Sequence, residues 1–449
     1  MTASGASSDR LLIGACASLR VAQLSGTSSL GGRVEELRGR SVIIFTPDPL
    51  TAAVVLIELD GVARRVVLCP PDLSPAHFPQ ILREADADAW VGDVGAGETR
   101  LGVQVAVVPG APAPVGVERR WTHETEWVLL TSGTTGAPKL VLHTLATLTN
   151  AFAGKEPPAP GTVWSTFYDI RRFGGLQILL RGLFGGSLLL ASPYESVVDY
   201  LTRVAAAGVT HISGTPSHWR KAMISGAISK INPQYVRLSG EIADQGVLDA
   251  LRRAFPKAVV AHAFASTEAG VGFEVRDGRA GFPAAVLHTP GLPAEIQVTD
   301  GRLRVRSAGA AHRYLGADPA PLKSADGFVD TGDRLELREG RYHFMGRAGG
   351  VINVGGQKVH PEEVEAVINS LSGVYISRVA ARKNPITGAV VAAEIVRAAD
   401  SEKISDEELK RAVIAACQKA LAAHKVPASV RIVPTLEVGP SGKLVRPNA

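Results

Sequence analysis

Apolar residues in the first part of the chain come in short, bounded runs, at 41–45 (SVIIF), 65–68 (RVVL), 89–91 and 104–108. β-branched residues dominate them, which predicts buried strands. Segments with helical spacing, such as 76–83, fall between some of these runs, and that alternation predicts a doubly wound α/β layer. Further strands are expected at 187–191, 209–213, 236–238 and 259–264, with a helix over 245–254 among them. From about Gly291 the texture changes to short alternating β segments, for example Arg302-Leu303-Arg304-Val305-Arg306. The Ser/Gly-rich stretch 25–32 and the Pro/Ala/Gly-rich stretch 109–116 read as loops, and no internal repeat is visible.

The last hundred residues predict a separate small α+β unit. Pro361 stands in the first turn of a helix whose Glu362 and Glu363 lie near the positive end of its dipole. Ser405 and Glu408 form a capping box ahead of a second helix, with apolar Leu409, Val413, Ala416 and Ala420 at helical spacing. The expected fold class is therefore α/β: a large N-terminal doubly wound α/β domain with a β-rich subdomain (1–346), then a small C-terminal α+β domain (347–449).

Composition narrows the function classes. The 449 residues carry 48 Lys plus Arg against 43 Asp plus Glu, an excess of five without dense basic runs, which argues against nucleic-acid binding. Three scattered cysteines, Cys16, Cys69 and Cys417, lack metal-ligand spacing and point to a reduced, cytoplasmic protein with no structural metal. No stretch reaches the roughly 18 uncharged apolar residues of a membrane span. The apolar run 11–17 follows Asp9 without a basic leader, so no secretory signal is expected.

The stretch with the clearest chemistry is 127–143, WVLLTSGTTGAPKLVLH. An apolar strand empties into a loop of Thr131, Ser132, Gly133, Thr134, Thr135 and Gly136, after which Lys139 is expected to open a helix-like segment. Glycines let backbone N–H groups approach an anion, hydroxyls add donors, and the lysine adds a compact positive charge, which together suit phosphate. A P-loop NTPase requires Gly-Lys-Ser/Thr; here Lys139 follows Pro138 and precedes Leu140, so that pattern fails. TSGTTGAPK instead resembles the ATP-phosphate loop of the adenylate-forming (AMP-binding) superfamily, which includes acyl- and aryl-CoA ligases.

Further elements follow in an order similar to that family. Phe264-Ala265-Ser266-Thr267-Glu268 resembles its aromatic-Gly-x-Thr-Glu element, with Ala265 in place of the usual Gly. The resemblance implies that Phe264 lies against adenine, Thr267 contacts phosphate, and Glu268 helps hold the Mg2+ that accompanies ATP. Gly240 and Glu241 resemble the turn lining the adenine side, Asp333 the residue that holds the ribose hydroxyls, and Arg347 the arginine closing the nucleotide site. Gly349 stands where many relatives have a hinge Asp or Lys, and it implies a mobile C-terminal domain. The segment 353–365 looks like acyl-CoA ligases rather than peptide-synthetase domains, and Ser441-Gly442-Lys443 matches the family's terminal motif, which makes Lys443 the catalytic lysine by resemblance. The similarity covers about 127–446; residues 1–126 match only in texture, and the first motif arrives early, as in a trimmed N-terminal region.

The activity implied is two-step: a carboxylate attacks MgATP to give acyl-AMP and pyrophosphate, then the acyl group passes to a thiol, with CoA favoured over a carrier protein or an amine. A non-catalytic AMP-binding protein is the remaining alternative, and retention of Lys443 and Glu268 speaks against it. The resemblance implies that 164–177 runs along the pocket for the small-molecule carboxylic acid and that His211 borders it, and Phe167, Tyr168, Phe173 and Gly174 there suggest an apolar slot. Asp169 could hold a substrate ammonium, but Arg171 and Arg172 compete for it, so an aromatic or aliphatic monocarboxylic acid without an α-amino group is expected. His143 is read as a helix residue rather than a general base, and His211 as a core histidine.

Overall fold

The computed structural model describes residues 10–93, 102–115, 120–131, 138–317, 319–347, 350–384, 388–398, 401, 404–439 and 443–445. Its largest sheet has eight strands in the spatial order Gly270–Val275, Val259–Ser266, Tyr235–Ser239, His211–Gly214, Val163–Thr166, Ser187–Leu190, Leu11–Ile13, Ser18–Arg20. All pairings from Val259–Ser266 through to Leu11–Ile13 are parallel, so their C-terminal ends open toward one edge, where α/β folds place ligands. One face of this sheet sends Ile212, Val236, Leu238 and Val260 into a core with the helices Val197–Ala206, Pro216–Ile224 and Gln245–Ala254. The Phe173–Phe184 helix covers the other face.

A second, seven-stranded sheet pairs Ser41–Phe45, Arg65–Leu68, Ala89–Gly92, Val105–Val107 and Glu126–Thr131 in parallel, as their unbroken apolar runs require. Beyond them one expectation is corrected. Lys139–Thr144 is a strand, paired antiparallel with Glu126–Thr131 from Lys139 opposite Thr131 to Thr144 opposite Glu126. Leu140, Val141 and Leu142 are buried, and an apolar run lying next to an open strand edge gains more by completing a ladder than by coiling. The phosphate loop therefore joins the two arms of an antiparallel β pair, and His143 is a strand residue. The helix Pro49–Leu59 had no sequence counterpart, because burial of nearly every residue leaves it without an apolar stripe.

The β-rich region is a five-stranded antiparallel sheet that includes Arg302–Arg306, Val329–Arg338 and Arg341–Arg347. Residues 352–432 bury a core of their own, with Ile352, Val364, Ile368, Leu409 and Val413 inside. There the helix Asp406–Ala420 begins with the expected capping box between Ser405 and Glu408. Among the described residues no helix is long and apolar enough to cross a membrane.

Candidate active site

One wall of the site is built where the hairpin meets the large sheet. Thr131 ends its strand and Lys139 starts the next; Ser132, Gly133, Thr134, Thr135 and Gly136 lie outside the described residues. Lys139 Nζ sits 5.1 Å from the ring centre of Tyr314, whose hydroxyl lies 3.5 Å from Glu268 Oε1. Burial and the Glu268 charge push the Tyr314 phenol up to about 12, so it stays a donor toward that carboxylate. The carbonyl of Thr267 accepts a 2.7 Å hydrogen bond from His143 Nε2. Burial draws His143 down to about 4, so the ring is neutral, and a carbonyl partner requires its proton on Nε2. Nδ1 then faces the Thr147 hydroxyl at 2.9 Å.

The opposite wall brings the chain's end to the large sheet. After Ser239 the backbone turns through Gly240 at φ 85°, a left-handed conformation that suits glycine. A Cβ added there would lie 3.5 Å from Lys443 Cε, so the lysine stem runs directly over this turn. The Glu241 carboxylate accepts from Ser217 N at 2.9 Å, from Ser217 Oγ at 3.0 Å and from Leu444 N at 3.0 Å, tying the neighbour of Lys443 to the start of the Pro216–Ile224 helix. Crowding by surrounding protein lowers the Lys443 pKa and Arg347 adds to this, while Glu241, Asp333 and Glu268 pull it back up. Part of Lys443 still meets solvent, so these charges act across an open, screened cleft. Asp333 lies 3.4 Å from Arg347 Nε; its burial raises the carboxyl pKa and Arg347 opposes that. Phe264 packs near-parallel to Phe273 and Phe344, at 5.8 and 5.9 Å between ring centres.

Beside this cleft, Tyr168 hydrogen-bonds the carbonyl and hydroxyl of Ser239 at 2.7 and 3.0 Å, and a Cβ on Gly174 would come within 3.3 Å of its ring. Phe173 opens the covering helix, 5.7 Å from His143. Asp169 is fully engaged: Oδ1 accepts from Arg171 N and Nε, both at 2.7 Å, and Oδ2 from Arg171 Nη2 at 2.5 Å. Arg172 instead turns outward to Asp72. Phe167 packs among Tyr200, His218 and Trp219. His211 lies between Trp164 and Tyr235 at the start of its strand, far from the Gly214 end, and burial lowers its pKa.

Two family models match the chain. That for the AMP-binding enzyme matches residues 66–315, and that for the AMP-binding enzyme C-terminal domain matches 363–443. The chain belongs to the AMP-binding enzyme family. Among curated relatives, a 2-succinylbenzoate–CoA ligase of Staphylococcus aureus is 26% identical over 332 residues, covering 71% of this chain and 65% of the relative. One from Salmonella typhimurium is 29% identical over 246 residues, 54% of this chain and 51% of its own length. The match thus spans less than two thirds of these relatives. Of solved structures, an anthranilate CoA ligase in complex with anthranoyl-AMP superimposes with a TM-score of 0.80 at 18% identity, covering 97% of this chain and 92% of the other. The amide bond synthetase McbA from Marinactinospora thermotolerans gives 0.77 at 20%, covering 97% and 95%. These likenesses establish the shared fold.

In this AMP-binding enzyme Arg347, Glu241, Asp333 and Glu268 act on Lys443, Gly240 lies under its stem, and Tyr314 stands between Lys139 and Glu268, the neighbour of Thr267, whereas Phe167 and His211 pack among other aromatic residues. Gly349 lies outside the described residues. Tyr314, His143 and Ser217 join the site without a sequence signal of their own. Tyr314 sits on a two-residue strand, Arg313–Tyr314, far from every motif, and only its pairing with Lys139–Thr144 brings it in.

Proposed function

We propose that this AMP-binding enzyme is an acid–thiol ligase of the acyl-CoA synthetase type. In the first step a carboxylate oxygen of the acid bonds to the α-phosphorus of ATP and the bond to the pyrophosphate oxygen breaks. In the second the CoA sulfur, having lost its proton, bonds to the acyl carbon of acyl-AMP and AMP leaves. The observation supporting this most directly is Lys443: a residue from the chain's end runs over the Gly240 turn within the field of Glu241, Asp333 and Glu268. A cation there offsets the repulsion between carboxylate and phosphate as they join. Lys139 and the 131–136 loop would hold the departing pyrophosphate, Asp333 the ribose hydroxyls, and Phe264 the adenine. Arg347 would close the nucleotide end.

Mg2+ fits the residues present. Glu268 offers one oriented carboxylate, which suits a hard cation that keeps water and substrate phosphates as its other ligands. Among the described residues no group of three or more His, Cys, Asp or Glu forms an all-protein metal cage. When bound, the ion would neutralise phosphate charge.

We take 1–346 as the adenylating domain and 347–449 as a domain that turns about Gly349 between the two steps. The acid is aromatic or aliphatic and lacks an α-amino group, because Asp169, the carboxylate placed to meet an ammonium, is occupied by Arg171. CoA is preferred as acceptor; a carrier-protein thiol or an amine is the alternative outcome. The test is pyrophosphate release across a panel of acids that includes 2-succinylbenzoate and anthranilate, with and without CoA, followed by mass spectrometry of the acyl product. Release with no acid, or with α-amino acids above their deaminated analogues, would refute the reading.

A further inference from the structure

Beneath the Phe173–Phe184 helix, the covered face of the eight-stranded sheet changes character with depth. Register puts Ser239 and Ala263 in one row with Glu274, then Thr166, Ser213 and Ala261 in a row with Arg237, then Trp164, His211 and Tyr235. Small residues thus line the part next to Gly240, and Arg237 rises among them as the one long side chain of its row. Partial exposure of Ala263, Tyr235, Glu274 and Gly174 shows that solvent reaches this layer.

The far end is cationic. Arg237 is 8% exposed, and its Nε lies 3.3 Å from Glu274 Oε2, yet among the described residues its guanidinium makes no hydrogen bond. Arg276 takes Glu274 Oε1 at 2.6 Å, and Tyr235 also donates to that carboxylate. Arg181, about two turns along the helix from Phe173, lies 4.8 Å from the Phe152 ring centre and makes no ion pair among the described residues. Burial and the Arg237 charge pull Arg181 down to about 10. Two guanidinium groups, those of Arg237 and Arg276, therefore share one carboxylate, and Arg181 adds a third positive charge within their field. Between Phe173 and Arg181, one helical turn from each, stands Gln177, 3% exposed; its Nε2 donates to the Leu148 carbonyl at 2.7 Å while Oε1 is buried without a partner.

We propose, building on the adenylation reading above, that this end of the acid slot binds a second carboxylate, so that the enzyme's substrates are dicarboxylic acids. This departs from the monocarboxylic acid that the aromatic residues at the slot's mouth suggested. A buried guanidinium with unused donors is matched by a planar carboxylate, which it can grip through two parallel bonds. Three residues of strand separate Gly240, under Lys443, from Arg237, on the order of 10 Å at the rise of a β-strand, so the two carboxylates are separated by a ring or a short chain.

The experiment is kcat/KM for pyrophosphate release with matched pairs: benzoate against its ring dicarboxylates, and hexanoate against adipate. Diacids should lead by about tenfold or more, since a site built around buried polar groups rejects ligands that leave them unpaired. Arg237→Met should abolish or invert that ratio. Should Arg237→Met not fold, Arg181→Met, at the half-buried end of the helix, should narrow it. A preference for the monoacids, or a ratio that neither variant moves, would overturn the subsite while leaving adenylation intact. Silence toward every acid would instead refute adenylation itself.

Discussion

The two walls of the candidate site are held in different ways. On the N-terminal side, Glu268 and Thr267 follow a strand inside the large sheet, and His143 and Tyr314 brace them from the second sheet. On the other side, among the described residues, Lys443 hangs on a tail fixed by the β-bridge Val438 to Leu444, by Arg378 on the Val445 carbonyl, and by Glu241 on the Leu444 amide. One wall is woven into the fold; the other can be released by breaking a few part-buried hydrogen bonds, each worth about 1 kcal/mol. A reaction that needs a cation for one step and its removal for the next is served by that asymmetry.

The asymmetry can be broken from either side. Lys443→Ala should lower acyl-AMP formation by about a thousandfold or more while acyl transfer from supplied acyl-AMP survives, measured as separate half-reactions. Equal loss in both would remove the lysine from step one. Gly349→Pro should act in the opposite sense: with backbone rotation blocked, thioester formation falls by about a hundredfold and adenylation persists, read by single-turnover kinetics. Glu268→Gln should raise the Mg2+ concentration for half-maximal turnover by about tenfold with little change in melting temperature, because that carboxylate contributes charge rather than packing. An unchanged Mg2+ titration would exclude it as a ligand.

The smallest expected effect concerns pH. Lys443 must be protonated to offset charge, and its pKa is lowered, so adenylation should fail as pH rises through a value below that of an ordinary lysine. Glu241 raises that pKa; Glu241→Gln should therefore move the alkaline limb to lower pH and slow adenylation by about tenfold as the tail loosens. A limb that stays in place would assign it to another group.

Much of the strand framework was readable because buried strands announce themselves as apolar runs: 41–45, 65–68 and 302–306 coincide with strands in the structure. The helix Pro49–Leu59 escaped because burial of nearly all its residues erases periodicity. The segment after the phosphate loop was misjudged because Pro138 and Lys139 look like a helix start, while the partner that makes it a strand lies across the loop. Candidate site residues could be named where a motif packs chemistry into a few positions, as at 264–268. Tyr314 and Ser217 were not, because their roles arise from sheet pairing and from a helix start rather than from neighbours in sequence.

The Asp169–Arg171 pair bears on how such an enzyme could change its diet. The Arg171 side chain is wholly buried and that of Asp169 nearly so. Removing either partner alone strands the other's charge in the interior, at about 3–5 kcal/mol, a large share of what holds a domain folded. Freeing Asp169 to greet an amine therefore lies behind a valley that no single substitution crosses. Any descendant of this chain that activates amino acids must have lost the arginine and rebuilt its surroundings together, and ancestors one step apart would be selected against before their new chemistry could be used.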